Sequence, residues 1–273
     1  MFKKKLFDLF FEIVMILMSL IIIIPLLIML LGSLKTAAEA SLFNIALPTE
    51  WKFDNYSFVI DRGGILRAMI NSIVVTIGTL VFSIVPAAFC GFVIARKKTR
   101  YTRFLENVFL AGMIAPIQII TTFALLKVLR LIGTPFAVMM IFTAIQLPWC
   151  IFMFFNFIKG TPRELDEAAF IDGSGPMRMF FTVIFPILKP IVATTTVMTA
   201  MFAWNDFMIP LYFFNNSKNW TMPLTVYNFF GQYFSNWNYV FADLVLTAIP
   251  VTILYLYCQK YIIAGLTSGA VKG

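Results

Sequence analysis

Residues 161–186 read TPRELDEAAFIDGSGPMRMFFTVIFP, and this polar stretch separates two long apolar parts of the chain. Seven charged side chains fall between Lys159 and Arg178, whereas residues 131–158 carry none. Ionisable side chains are costly inside a bilayer. We therefore expect the stretch to lie in water, on one side of a membrane that the flanking segments cross.

Local signals predict two short helices in this polar stretch. Thr161 and Glu164 have the spacing of a capping box, with proline at the first helical position. The DGSG sequence at 172–175 ends the first helix, because glycine tolerates the left-handed conformation that closes helices. A second helix is predicted from Pro176 to near Pro186, where the proline cannot donate a backbone hydrogen bond.

The first of these helices has a face of small side chains. Leu165, Ala168, Ala169 and Asp172 recur at helical spacing. Small side chains allow close approach, so this face is predicted to fit the groove of another protein.

Composition places most of the chain in lipid. Of 273 residues, 60% are hydrophobic and 12% are charged, whereas a soluble domain carries about 25% charge. A helix needs roughly 20 apolar residues to cross the hydrocarbon. Six segments qualify, at about 13–34, 68–95, 105–126, 135–158, 187–209 and 239–260. The predicted fold is an all-α integral membrane protein with six transmembrane helices in one domain, 1–273.

The basic residues predict the orientation. Six spans place both termini on the side of the polar stretch, and 14 of the 21 basic residues then fall on that side. Cytoplasmic loops carry the excess of Lys and Arg. The termini and residues 160–186 are therefore predicted to be cytoplasmic. The first span is too long for a signal-peptide core of about 7–15 residues, and we interpret it as retained.

Several classes of function are disfavoured. The chain has no histidine, its three cysteines stand alone within predicted spans, and it has no G-x-x-x-x-G-K-[ST] phosphate loop. We predict no metal site, no catalytic residues and no ATP site in this chain. The net charge of +8 comes from residues near the span ends, which indicates contact with anionic lipid rather than nucleic acid.

The polar stretch resembles a known motif. Glu167, Ala168, Ala169, three residues, Gly173, nine residues and then Val183–Pro186 resemble the cytoplasmic EAA loop of bacterial ABC-importer permeases. The family pattern is Glu-Ala-Ala, x3, Gly, x9, Ile-x-Leu-Pro, and two apolar residues here replace its Ile and Leu. The resemblance implies that Glu167, Ala168, Ala169, Gly173 and Pro186 belong to a coupling loop at 160–186 that receives ATPase motion.

Two further segments are similar to carbohydrate permeases of the maltose MalG type. Residues 259–273, QKYIIAGLTSGAVKG, match the family's carboxyl-terminal tail, and 204–211, WNDFMIPL, match its W-N-[DE]-F-x-x-P-L segment. The first match implies that Gln259, Gly265, Gly269 and Lys272 contact the ATPase from a flexible cytoplasmic tail, 261–273. The alternative for the tail is a solvated terminus.

Together, these resemblances imply a type I ABC-importer permease fold and an ATP-driven sugar importer, with an oligosaccharide favoured. The implied partners are a homologous second permease, two ATP-binding subunits that hold ATP and Mg, and an extracytoplasmic sugar-binding protein that docks on the outer loops. The implied location is the bacterial inner membrane. The alternatives are an ATP-independent secondary transporter or channel, or an ABC importer of glycerol phosphate or polyols.

Five polar residues within or at the ends of predicted spans are candidates for the gate or the sugar path. Asn205 and Asp206 can accept hydrogen bonds from sugar hydroxyls, form a polar hinge at the outer gate, or lock neighbouring helices together by a hydrogen bond. Asn71, Gln118 and Gln146 can line a path, but such residues more often tie helices together. For all five residues, the structural interpretation ranks above direct sugar contact.

Overall fold

The computed structural model describes residues 2–230 and 236–270, and this part of the chain is all-helical. The α-helices are α1 (Phe2–Gly32), α2 (Ala37–Ala40), α3 (Asp54–Arg62), α4 (Ile65–Arg96), α5 (Arg100–Ile114), α6 (Ile119–Val128), α7 (Pro135–Lys159), α8 (Glu164–Ile171), α9 (Pro176–Met179), α10 (Phe185–Ile187), α11 (Lys189–Asn205), α12 (Met208–Phe213) and α13 (Trp237–Ala270). A π-helical turn, Phe180–Ile184, and two 3-10 segments, Ser217–Asn219 and Met222–Asn228, complete the described structure.

Four continuous helical stretches of the described chain are long and apolar enough to cross a membrane. They are Phe10–Gly32, Ile65–Arg96, Pro135–Lys159 and Trp237–Gln259. The predicted spans 13–34, 68–95, 135–158 and 239–260 agree with them to within a few residues. Two bent helix pairs raise the count to six if each pair is one span. The all-helical membrane class is confirmed, and the count of six stays a prediction.

The third predicted span, 105–126, is not one helix. Helices α5 and α6 meet at an angle of 113° across residues 115–118. Pro116 has no backbone N–H and disfavours helical angles in the residue before it. Ala115 accordingly has an extended ψ of 119°. The helix of the predicted span is therefore broken at this proline, and the bent pair is either one broken span or a re-entrant loop.

The fifth predicted span, 187–209, is shorter than expected. Helix α11 ends at Asn205, and Asp206 has an extended ψ of 127°. The Asp206 Oδ1 atom then accepts a hydrogen bond of 2.8 Å from the backbone N–H of Ile209. The extended backbone at Asp206 ends α11, and its carboxylate binds the first turn of the next helix, α12.

The described residues divide into two compact units. The first combines those within Met1–Arg67 and Met222–Pro250. In this unit the Asn55 Nδ2 atom donates to the carbonyls of Ser33, at 2.8 Å, and Lys35, at 2.9 Å. The Asn238 Nδ2 atom donates to Asn55 Oδ1 at 2.9 Å. This buried amide chain joins the segment after α1 to α3 and the start of α13.

The loop after α1 is organised by Glu39. Its carboxylate closes a capping box with Thr36 and accepts hydrogen bonds from the Thr49 hydroxyl, at 2.6 Å, and the Thr49 backbone N–H, at 3.0 Å. These hydrogen bonds lower the pKa of Glu39 to about 2, and the bond from the Thr49 hydroxyl has the largest effect. They favour the charged carboxylate, so the loop keeps this contact at neutral pH.

The second unit combines the described residues within Ala68–Thr221 and Val251–Gly273. A hydrophobic core in this unit packs α4 and α7 against the chain from Phe180 to Ile191. Gly91 allows the close approach of the two helices: a Cβ atom there would lie 2.8 Å from Phe154 Cβ and 3.0 Å from the Phe155 backbone nitrogen. The core therefore requires a glycine at this position.

We expect Gly91→Ala to destabilise the protein, because the new methyl group would meet backbone that cannot rotate away. Overpacking of this kind costs about 1–3 kcal/mol. Thermal unfolding of the purified variant measures the effect. Gly112→Ala in α5 is the matched control, since its Cβ would meet the Pro148 ring at 3.3 Å and gains the same helix propensity. Equal melting temperatures in the two variants would contradict the packing argument.

Candidate functional site

The start of the polar stretch differs from its prediction. Helix α8 begins at Glu164, and its amino-terminal cap, Arg163, forms no side-chain cap hydrogen bond. The Thr161 Oγ1 atom instead donates to the Phe157 carbonyl at 3.2 Å. The predicted capping box of Thr161 and Glu164 was wrong, because Thr161, just after α7, directs its hydroxyl and its backbone N–H back to the carbonyls at the end of that helix.

The break between the two helices is confirmed. Helix α8 ends at Ile171, and Gly173 adopts a positive φ of 76°. The Gly173 N–H donates to the Phe170 carbonyl and the Ser174 N–H to the Ala169 carbonyl, both at 3.0 Å. This pair of bonds is the Schellman motif. Gly173 is thus a structural requirement of the turn.

The second helix contains a feature that the sequence interpretation missed. The chain is helical from Pro176 to Ile187, but Phe180–Ile184 forms a π-helical turn. The ring of Pro186 would crowd the carbonyl four residues earlier in an α-helix. The wider turn accommodates it, and π-turns of this kind often occur at functional sites. The proline was the signal that could have predicted it.

Arg96, at the end of α4, anchors the polar stretch to the core. Its Nε atom lies 2.5 Å from Asp166 Oδ2, and Nη2 donates to Asp166 Oδ1 at 3.2 Å. Its Nη1 atom also donates to the carbonyls of Ile158, at 3.2 Å, and Thr161, at 3.1 Å. One guanidinium therefore binds backbone carbonyl groups at the end of α7 and also holds α8 through Asp166. From the sequence alone, Arg96 was only one of the basic residues that predict the orientation of the spans.

The predicted small-residue face is divided between the protein and the solvent. Ala169 is buried, so it packs within the chain, while Glu167 and Ala168 are exposed. The outward surface is apolar: Phe170 is 78% exposed and Ile171 is 83% exposed. We call Glu167, Ala168, Phe170 and Ile171 the outward α8 surface. An exposed apolar patch on a charged element is typical of an interaction site.

Asn205 and Asp206 stand at the break after α11. Asn205 is exposed and Asp206 is half-buried with its local bond to Ile209. This bond fits the hinge interpretation more directly than a lock between helices.

The three remaining candidates for the sugar path, Asn71, Gln118 and Gln146, are distant in sequence from the break after α11. The Asn71 Nδ2 atom donates to the carbonyls of Lys218, at 2.9 Å, and Trp220, at 3.0 Å, so it ties α4 to a loop. Gln118 is exposed at the amino terminus of α6, and Gln146 is half-buried within α7. The structural interpretation therefore fits Asn71 best.

The predicted tail begins inside a helix. Gln259 is exposed in α13, and this helix continues through Gly265 and Gly269 to Ala270. A freely flexible tail over residues 261–270 was therefore not found. Lys272 lies outside the described residues. Among the described residues, no group of three potential metal ligands clusters.

Comparison with known proteins places these features in a family. Residues 87–268 match the model of the "Binding-protein-dependent transport system inner membrane component". The chain is 32% identical to the melibiose/raffinose/stachyose import permease protein MelC of Bacillus subtilis, over 92% of this chain and 91% of that protein. It is 33% identical to the multiple sugar-binding transport system permease protein MsmG of Streptococcus mutans, over 93% of each.

A solved structure shares the fold. A chain of a bacterial ABC transporter involved in the import of the acidic polysaccharide alginate superposes with a TM-score of 0.81 at 21% identity, covering 94% of this chain and 96% of that chain. The protein belongs to the family of binding-protein-dependent transport system inner membrane components.

We expect Asp166→Asn to loosen α8, because it removes the charge that Arg96 binds. Both side chains of the pair are mostly buried, at 11% and 17% exposure. Hydrogen bonds to charged groups contribute about 1.5–3 kcal/mol. Hydrogen exchange of residues 160–172 should become faster in the variant. Glu164→Gln, an exposed acid in the same helix, is the matched control and should leave exchange unchanged. Slow exchange in Asp166→Asn would show that the anchor is dispensable.

Proposed function

We propose that this chain is the transmembrane subunit of an ATP-driven oligosaccharide importer and that α8 and the helix after it receive the motion of a partner ATPase. The observation that carries the proposal is the EAA segment itself. It folds as an anchored two-helix element whose outward α8 surface is apolar and exposed. Such a surface suits the groove of another protein.

The anchor makes the element suitable for transmitting force. A loop that moved independently of the core would absorb the motion of a partner. Here the Arg96 guanidinium connects α8 to α4 and to the end of α7. The second helix packs Phe180 and Ile184 into the core of α4 and α7. A displacement of the outward α8 surface would therefore reach two membrane-spanning helices.

The division of labour follows from what the sequence contains. The chain has no phosphate loop, so ATP and Mg would bind to two partner ATP-binding subunits. A homologous second permease would complete the pore, and an extracytoplasmic binding protein would deliver the sugar. A solved transporter with the same fold was crystallised in complex with an alginate-bound periplasmic protein. The tail residues Gln259, Gly265, Gly269 and Lys272 remain proposed ATPase contacts.

An oligosaccharide is the favoured cargo. The relatives MelC and MsmG are named for melibiose, raffinose and stachyose, and for multiple sugars. The proposed orientation places both termini and the outward α8 surface in the cytoplasm, in agreement with the excess of Lys and Arg on that side.

Gly173 gives a test of the coupling role. We expect Gly173→Val to reduce sugar uptake strongly while the assembled complex still hydrolyses ATP, because valine resists the φ of 76° that the turn requires. The left-handed conformation costs roughly 1–2 kcal/mol for an ordinary residue. Gly173→Asn is the matched control at the same position, since asparagine tolerates this conformation and should retain more uptake. Normal uptake in the valine variant would argue strongly against the coupling role.

Copurification tests the partners and the outward α8 surface together. The tagged chain should bring down a homologous permease and an ATPase. We expect the double variant Phe170→Asp and Ile171→Asp to lose the ATPase and retain the second permease, because the charges disrupt only the proposed docking surface. Leu42→Asp with Leu47→Asp, at 66% and 71% exposure, is the matched control.

The copurification experiment can also refute the proposal. A wild-type chain that copurifies with neither partner would indicate an ATP-independent carrier. A double variant that keeps the ATPase would place the contact outside the outward α8 surface.

A further inference from the structure

A cavity of about 530 Å³ lies within the second unit, beside the anchor of α8. It is formed by the end of α4, the first two turns of α5 and the end of α7 with the residues that follow. Six cationic side chains and one carboxylate, Glu106, line it; the cations are Arg96, Lys97, Lys98, Arg103, Lys159 and Arg163. A cavity of this size can hold a ligand group.

The positive charge of this cavity is mostly uncompensated. Arg96 is paired with Asp166. Within the described part of the chain, no carboxylate lies within 4.0 Å of the charged nitrogens of Lys97, Lys98, Arg103 or Lys159. The Lys159 Nζ atom lies 5.4 Å from the centroid of the Phe155 ring.

The backbone adds to this positive field. Thr99 caps the amino terminus of α5 through its hydrogen bond from the Thr102 N–H, at 3.2 Å. The amino terminus of a helix carries partial positive charge. Close cations repel one another in a folded protein, and an anion bound among them would relieve the repulsion.

A narrow apolar crevice adjoins the cavity and shares Ile94, Glu106 and Phe155 with it. Its other lining residues are Phe109, Leu110, Ile151 and Phe152. The crevice runs between α5 and α7, so the cationic basin continues into a narrow strip of apolar side chains. A free anion would use only the basin, whereas an amphiphile would use both.

We infer that this composite site binds an anionic phospholipid, with its phosphodiester among the cations and an acyl chain along the crevice. Basic pockets between transmembrane helices are suited to anionic headgroups. Glu106, where the cavity meets the crevice, can accept a hydrogen bond from a glycerol hydroxyl, which favours phosphatidylglycerol. The inference goes beyond the proposed coupling function and needs neither the ATPase nor the sugar.

Native mass spectrometry of the purified full chain in nonionic detergent tests the inference by titration with phosphatidylglycerol. We expect saturable binding of phosphatidylglycerol and weaker binding of phosphatidylcholine with the same acyl chains. Lys98→Gln with Arg103→Gln should weaken phosphatidylglycerol binding by roughly 10-fold, because each Lys or Arg beside an anionic headgroup adds to the binding affinity. Arg100→Gln with Lys189→Gln is the matched control: both are exposed cations outside the cavity, and their loss should change binding little.

Three results would overturn the inference. Equal weakening by the two double variants would indicate general attraction to anions. Equal binding of phosphatidylcholine would indicate an apolar site without headgroup recognition. Displacement of the lipid by inorganic phosphate at comparable concentration would assign the cavity to a free anion. If the double variant unfolds, Lys98→Gln alone gives the same comparison against Arg100→Gln alone. The lipid titration uses the purified chain without partner subunits. A failed copurification with the ATPase would therefore leave the measured lipid binding unaffected.

Discussion

The Arg96 guanidinium is the interaction on which the functional part of this structure depends. It pairs with Asp166 and donates hydrogen bonds to the Ile158 and Thr161 carbonyls at the end of α7, so one side chain joins α4, α7 and α8. A helix end leaves carbonyls without intrahelical partners. A long cation at the water boundary can satisfy them and still reach a carboxylate. Without this contact, α8 would be linked to the membrane helices mainly by the chain and the following helix.

Backbone chemistry then sets the shape of the element. The positive φ of Gly173 closes α8 in a Schellman motif, and Pro186 is accommodated by a π-turn before α11. Pro116 produces the corresponding break between α5 and α6. In each case a glycine or a proline, whose backbone angles differ from those of other residues, determines where a helix turns. The core at Gly91 shows the same principle in packing, since α4 and α7 approach closely where there is no side chain.

The sequence predicted the membrane class and the two helices of the polar stretch because hydrophobicity, glycine and proline act locally. The EAA pattern and the family model then agree on a permease. Local signals failed where two of them competed. Thr161 has the right spacing for a cap, but its backbone N–H bonds back to the Ile158 carbonyl at the end of α7. Likewise, an apolar run predicted a span over 105–126, and the helix in that segment is broken at Pro116.

The amino-acid sequence alone determined that most of this chain is apolar enough for lipid, that a charged stretch separates two long apolar parts and that Gly173 ends a helix. These properties depend on composition and on near neighbours. Only the tertiary structure decided which side chain holds α8, that Ala169 is buried while Phe170 and Ile171 face outward, and that cations from three helices line one cavity. Arg96 and Asp166 are 70 residues apart. The pairing of such distant residues is fixed by how helices pack, which no local pattern specifies.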